Sequence, residues 1–269
     1  MQTKCDAGHY YPAVNINPAW TPQGTPTGAG SVPTVTMTSI GDLLSAKNIP
    51  WKYYGGGYNA SGVTTNPFNG SYCNICNPFE YQLNYPAMRA DHMRDVTDLF
   101  TDLKNGTLPA VSYVKPDGLL DGHPASSKFD LFEAFTKNII ELAQSNKEQW
   151  ESTAIFVTVD EGGGYYDSGF IQPVDFFGTG PRIPMIAVSP FSRGGHISHV
   201  YNEHSSFVKF VERNWHLGKL TARSRDNLPN PRMDDDNAYV PVNMPAIGDL
   251  FDMFDFDRDH DRDGDRDSR

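Results

Sequence analysis

The chain has 269 residues, enough to bury a sizeable core, and carries 22 Lys and Arg against 33 Asp and Glu, a net charge of −11. That acidic balance excludes non-specific nucleic-acid binding and attraction to an anionic membrane surface. No apolar run reaches the roughly 18–20 residues of a membrane span, so stable membrane insertion is not expected, and the amino-terminal MQTKCDAGHYYPAVN lacks the apolar core of a signal peptide, which taken literally places the chain in the cytoplasm.

Residues 1–33 are polar and punctuated by prolines and glycines, which predicts an irregular lead-in lying over a body built elsewhere. Ser39 is placed to cap a short helix over 40–46, with Leu43 and Leu44 inward. PWKYY at 50–54 reads as a strand closed by Gly55, Gly56 and Gly57. The stretch 58–83 is aromatic and Asn-rich, with no clear period. It contains the pair Cys73 and Cys76 in CNIC; with Cys5 as the only other cysteine, no second pair exists to complete a four-thiolate site. Ordinary thiols, a local disulfide and a redox pair all fit that spacing.

A helix is predicted over 88–103 from the stripe Met93, Val96, Leu99, Phe100 and Leu103. LPAVSYV at 108–114 reads as the next strand, and its outlet carries Asp117, Asp121 and His123. His123 is equally well explained as a functional group or as a loop anchor. The strongest helical pattern follows at 128–146, with Phe132, Phe135, Ile139 and Leu142 on one face. It leads to the apolar run 155–159, which predicts a right-handed parallel crossover into another buried strand.

That run ends in Asp160 and Glu161, then Gly162, Gly163 and Gly164, then Tyr165, Tyr166 and Asp167. Charges at the carboxyl end of a strand sit where open α/β sheets place their ligands, and glycines permit a sharp turn and close approach. Two adjacent carboxylates beyond a strand end suit one hard cation; a solvated acidic loop is the plainer alternative. A further buried strand is predicted within 183–191, with Arg193, His196 and His199 at its outlet. A final helix over 203–215 buries Phe207, Phe210, Val211 and Trp215, with His204 in its first turn, where a neutral imidazole suits the positive helix end. Phe251, Phe254 and Phe256 are expected to dock on the body. From Asp257 the alternating acids and arginines form a solvated tail. Its Asp259, Asp261 and Asp263 begin a calcium-loop pattern but lack its closing glutamate.

Several separated blocks together resemble one family: TSIGDLLSAKNIPWKYYGGGYNA at 38–60, TLPAVSYVKPDG at 107–118 with GHP at 122–124, FVTVDEGGGYYD at 156–167, GPRIPMIAVSPFSRGGHISH at 180–199 and EHSSFVKFVERNW at 203–215. In this order they resemble the phosphoesterases that include bacterial phosphatidylcholine-type phospholipases C and related acid phosphatases. GHYYPAVNINPAW at 8–20 is similar to the segment that precedes these blocks in the family.

The resemblance implies an α/β, alkaline-phosphatase-like fold with a mostly parallel sheet flanked by helices. It also implies metal-dependent hydrolysis of phosphate esters, whether small esters or phospholipid head groups, in an exported protein. It assigns Asp160 and Glu161 as ligands of one divalent metal, and His123, His199 and His204 as catalytic groups near the phosphate. Two departures stand against it. The family's amino-terminal block of Glu-Asn-Arg-Ser-Phe-Asp type and its Ser or Thr nucleophile are not found before Gly8, and Asp167 is followed by Ser168 where many members have Asp-His. The chain therefore resembles the carboxyl-terminal portion of such an enzyme, with residues 1–256 as an incomplete phosphoesterase domain and 257–269 as a disordered tail. Ser126, Ser127, Ser198 and Ser205 offer hydroxyls without an evident activating partner. The alternative to hydrolysis is a non-catalytic domain that retains the fold and acts through association, as a homo-oligomer or with a complementing amino-terminal half. A zinc hydrolase built on His196 and His199 is disfavoured, since no H-x-x-x-H helix or third ligand accompanies them.

Overall fold

The computed structural model describes residues 16–59, 71–175, 178–237 and 239–258. They fall into two compact units, one built from the described parts of 16–39, 50–102 and 108–135, the other from those of 40–49, 103–107 and 136–258. The amino-terminal 15 residues and the calcium-loop-like pattern in the tail lie outside the described residues, as does Cys5.

The first unit is organised on a parallel three-stranded sheet. Strand β1 (Trp51–Gly55) lies between β2 (Met93–Asp95) and β3 (Val111–Lys115), with Tyr53 opposite both Met93 and Tyr113. Trp51, Tyr53 and Tyr54 are all buried, as expected of a central parallel strand covered on both faces. The half-buried Lys52 pairs with Asp102 at 2.6 Å, and that carboxylate also accepts the Tyr54 hydroxyl at 2.6 Å. The glycines that close β1 are there for close approach. A Cβ on Gly55 would meet the Tyr72 ring at 2.5 Å, and one on Gly56 would lie 2.3 Å from the backbone nitrogen of Asp117.

The described part of the lead-in, residues 16–33, is hydrogen-bonded to the rest of this unit. The Pro22 carbonyl accepts from the Tyr58 hydroxyl (3.1 Å), the Tyr85 hydroxyl (3.0 Å) and Arg89 Nε (3.0 Å). Trp20 donates its indole N–H to the Gln82 carbonyl at 2.9 Å.

The expected single helix over 88–103 is instead two helices with a strand between them. Helix α2 (Tyr85–His92) stops where Met93–Asp95 joins the sheet, and α3 (Val96–Asn105) starts afresh. The restart is a reciprocal cap. Asp95 accepts from the Thr97 N–H at 3.0 Å, while Asp98 accepts from the Asp95 N–H at 3.0 Å. This is the logic of a capping box, with aspartate at both ends. Asp95 also accepts the Asn59 N–H at 2.9 Å, tying the β1 outlet to the end of β2.

In the second unit, α1 spans Ile40–Ala46, as predicted, with Leu44 fully buried. Helix α4 spans Phe129–Ser145, and α5 (Lys147–Trp150) follows, its Asn146 cap accepting from the Gln149 N–H at 3.2 Å. The next strand corrects the expectation of a parallel crossover. Strand β4 (Ile155–Thr158) pairs antiparallel with β5 (Met185–Val188), Ile155 opposite Val188 and Thr158 opposite Met185. The two form a sheet of their own. Both are half-buried rather than buried, and Ile186 is 59% exposed. The architecture is thus α/β with parallel and antiparallel pairings, coarser than the alkaline-phosphatase-like sheet expected.

Apolar cohesion in this unit comes from aromatic packing. Helix α6 (Ser205–Asn214) presents Phe207 and Phe210 to Phe156 of β4 at ring separations of 5.5 and 4.9 Å. The carboxyl-terminal Phe254 docks on the same ring at 5.7 Å and stacks on Phe256 at 5.5 Å. Edge-to-face arrangements of this kind add to the burial of the rings. Loops without regular structure are joined by buried polar groups. The Gln172 amide exchanges two hydrogen bonds with the Ala246 backbone, at 2.8 and 2.7 Å. The Lys209 ammonium, in mid-α6, donates to the Leu228 carbonyl (2.8 Å), Asn230 Oδ1 (2.7 Å) and the Ile247 carbonyl. Burial pushes that amine down to about 8, and it remains charged at neutral pH.

Candidate functional site

At the β3 outlet, in the first unit, Lys115 pairs with Asp121 at 3.1 Å, and the same carboxylate accepts the His123 N–H at 3.0 Å. The His123 ring is exposed, and its Nδ1 accepts from the Ala125 N–H at 3.2 Å. That contact orients the His123 ring within its own turn. The Ser126 and Ser127 N–H groups close that turn on the His123 carbonyl. The Ser127 hydroxyl is spent on the Leu119 carbonyl at 2.8 Å. The geometry is that of a loop anchor.

The acidic outlet of β4, in the second unit, is where the glycines were expected to turn the chain, and they do. Gly163 and Gly164 both adopt positive φ, at 59° and 83°. Asp160 and Glu161 are exposed, and Asp160 accepts the adjacent Glu161 N–H at 3.1 Å. Tyr165 and Tyr166 project into solvent. His204 reaches this outlet: its Nε2 lies 3.1 Å from the Val159 carbonyl, to which it donates, so the imidazole fastens the start of α6 to the end of β4. It makes no side-chain cap to its own helix. His199 is exposed and sits edge-on to Tyr239, with ring centroids 4.9 Å apart.

Two arrangements near these residues were not foreseen from the sequence. Asp167 is gripped by Arg182, through Nη2 at 2.7 Å, Nε at 3.1 Å and the Arg182 backbone N–H at 2.8 Å. The Gly169 N–H adds a fourth bond at 3.0 Å. The Arg182 hydrogen bonds hold the carboxyl well below the usual range. In the 192–199 loop, the Ser198 hydroxyl donates to Asp252 at 2.5 Å, and His196 stands 3.9 Å from the same carboxylate. The aspartate thus serves the serine and the histidine in parallel, and among the described residues no hydrogen bond joins an imidazole to the Ser198 hydroxyl. Ser205 likewise donates to Glu203 at 2.5 Å.

These placements overturn the expectation of a divalent metal site. Among the described residues, no group of three or more His, Cys, Asp or Glu side chains is placed to hold a metal ion. Asp160 and Glu161 stand as an exposed pair without a third donor, His204 spends Nε2 on a carbonyl, and Asp167 is neutralised by Arg182. A hard cation needs about six oxygen ligands, and a pair of exposed carboxylates supplies a small part of that shell. The residues do not fit the ion, and metal-dependent hydrolysis of phosphate esters is not supported. Among the described residues, no helix is long and apolar enough to cross a membrane.

Comparison with known proteins gives this scaffold its place. Residues 7–218 match the model of the phosphoesterase family, and the chain belongs to that family. It is 26% identical to the non-hemolytic phospholipase C of Burkholderia pseudomallei, over 94% of this chain and 42% of that protein. It is 27% identical to the hemolytic phospholipase C of Pseudomonas aeruginosa, over 84% of this chain and 34% of that protein. Phospholipase C B of Mycobacterium tuberculosis is 27% identical over 59% of this chain and 32% of its own length. The chain therefore spans less than half the length of these relatives.

Proposed function

We propose that this protein is a non-catalytic member of the phosphoesterase family, a domain that keeps the scaffold and acts by association rather than by turnover. The observation that carries this reading is the acidic outlet of β4, where Asp160 and Glu161 are exposed and share no third metal-binding side chain among the described residues. In this reading residues 1–256 correspond to the carboxyl-terminal part of the longer relatives. Their naming as phospholipases C supports a phosphate-ester head group as the kind of small ligand met. The macromolecular partner is a second copy or a complementing amino-terminal half. Supporting this, β2 and β3 each have a single neighbour among the described strands, as do β4 and β5, and open strand edges are sites of pairing with another chain. The Cys73–Cys76 disulfide accords with an oxidising, extracytoplasmic setting.

The test is hydrolysis of a chromogenic phosphomonoester and phosphodiester by the purified chain, with calcium, magnesium, manganese and zinc, alongside Asp160→Ala. We expect no turnover above the blank and no metal-dependent change in melting temperature. Metal-stimulated turnover that Asp160→Ala abolishes rejects the proposal. Light scattering of the same sample reads the self-association arm.

A further inference from the structure

The aromatic, Asn-rich stretch in the first unit holds a group that neither the scaffold nor the acidic outlet uses. Cys73 and Cys76 are joined in a disulfide at a sequence separation of 3, with Cα atoms 5.2 Å apart. Both are partly exposed, so a small reagent can reach them. Their ring spans the one-turn segment Asn74–Cys76. The residues that flank the ring, Tyr72 and Asn77, are both buried and converge on a third buried group, Glu80. The Tyr72 hydroxyl donates to Glu80 Oε1 at 2.5 Å, and Asn77 Nδ2 donates to the Tyr72 oxygen at 2.9 Å and to Oε1 at 3.3 Å. The other carboxyl oxygen, Oε2, is buried without a hydrogen-bond partner. Burial raises this acid to about 8, so it is mostly protonated at neutral pH and has a proton to exchange just above it.

A disulfide that only staples a loop explains little of this. Bridges across short loops restrict the unfolded chain least, so the stabilising return on a separation of 3 is small. A staple has no use for a fully buried, half-satisfied acid, which costs stability. The Cys-X-X-Cys spacing, by contrast, favours a reactive thiolate. We infer that Cys73–Cys76 is a thiol–disulfide exchange site for low-molecular-weight dithiols and disulfides, with Glu80 as a positioning acid linked to it through Tyr72 and Asn77.

The reaction balances with a dithiol as reductant. Its thiolate attacks one cysteine sulfur, the protein S–S bond breaks as the mixed disulfide forms, and the second cysteine departs as a thiolate and takes a proton. The remaining thiol of the dithiol then attacks the mixed disulfide. Two electrons and two protons have passed to the protein, and the reagent leaves as its own disulfide.

The test uses the full chain carrying Cys5→Ser, so that only this pair titrates. It is equilibrated in buffers of reduced and oxidised dithiothreitol, quenched with iodoacetamide and weighed. We expect reversible opening with the fold intact, and closure by an aromatic disulfide at least about tenfold faster at pH 7 than in the urea-unfolded chain. A bridge that opens only on unfolding, or a rate equal to that of the unfolded chain, overturns the exchange site. For Glu80, the readout is the pH–rate profile of the folded chain, which should bend where this acid titrates and lose the bend in Glu80→Gln. Tyr72→Phe serves the same purpose if that variant does not fold. A folded chain whose profile follows thiol ionisation alone removes Glu80 from the site. Neither result depends on whether the chain hydrolyses phosphate esters.

Discussion

Arg182 holds Asp167 from two directions at once, with its guanidinium on both carboxylate oxygens and its own backbone N–H on Oδ2. The chain between them is thereby closed into a loop whose mouth is an ion pair. The closure depends on Gly169, because a Cβ there would fall 2.0 Å from Arg182 Nε. Arg182→Ala and Gly169→Ala should both open the loop, read as faster amide exchange at Gly169 and quicker proteolysis within 160–182, with the melting temperature little changed. The hydrogen bonds hold the Asp167 carboxyl below its ordinary range, so the closure persists as pH falls through about 4, where free aspartates protonate, and is lost only at lower pH.

The buried Glu80 predicts the opposite sign. Its ordinary value of 4.5 rises to about 8 in the fold, chiefly through burial. Below 4.5 both states are protonated and the group is neutral to stability. Between 4.5 and 8 the unfolded state ionises first, so stability declines steadily as pH rises, by an amount on the order of a few kcal/mol. Glu212, raised to about 7 by burial, adds to the same slope. Urea midpoints from pH 5 to 8 should fall, and Glu80→Gln should flatten the trend. A flat profile in the parent chain would sink this account.

The aromatic cluster around Phe156 sets the stability of the second unit. Phe210 is buried against Phe156, Phe251 and Phe254. Phe210→Ala should cost about 3–5 kcal/mol and Phe210→Leu distinctly less, as measured by denaturant unfolding. An equal cost for the two would mean that ring geometry, not volume, dominates there.

Gly56→Ala tests the close approach at the β1 outlet. The new methyl carbon would meet the backbone nitrogen and Cα of Asp117 at 2.3 and 2.9 Å, neither of which can swing aside. A loss of roughly 1–3 kcal/mol is expected from the forced backbone shift. Gly180→Ala, where a Cβ meets nothing within 4 Å, is the matched control and should be near neutral.

Much of this arrangement was legible before the structure. β1, β3, α1, α4 and α6 follow from periodicity and from the glycines, serines and prolines at their ends, which act over a few residues. What failed depends on partners far along the chain. The 88–103 pattern kept helical spacing through Met93, yet Met93–Asp95 was taken by the edge of β1, and the reciprocal cap of Asp95 and Asp98 was the local signal overlooked. The apolar run before Asp160 specified a strand but not its neighbour, and β5 supplied an antiparallel one.

The site shows the same division. The sequence placed Asp160 and Glu161 at a strand outlet, and they are there. Whether donors converge depends on where each side chain is already committed. His204 is drawn to the Val159 carbonyl and Asp167 to an arginine 15 residues away. Neither commitment leaves a trace in residue spacing.

Lys209 has a consequence of its own. The segments bearing Leu228, Asn230 and Ile247 are loops, and their oxygens surround a single positive charge. Loop-rich domains often recruit a dissolved ion for such a task, and their cohesion then follows the salt of the medium. Here the charge is covalently tethered to a helix, so the loops carry their own counterion wherever the protein goes, and chelators or dilution have nothing to take away.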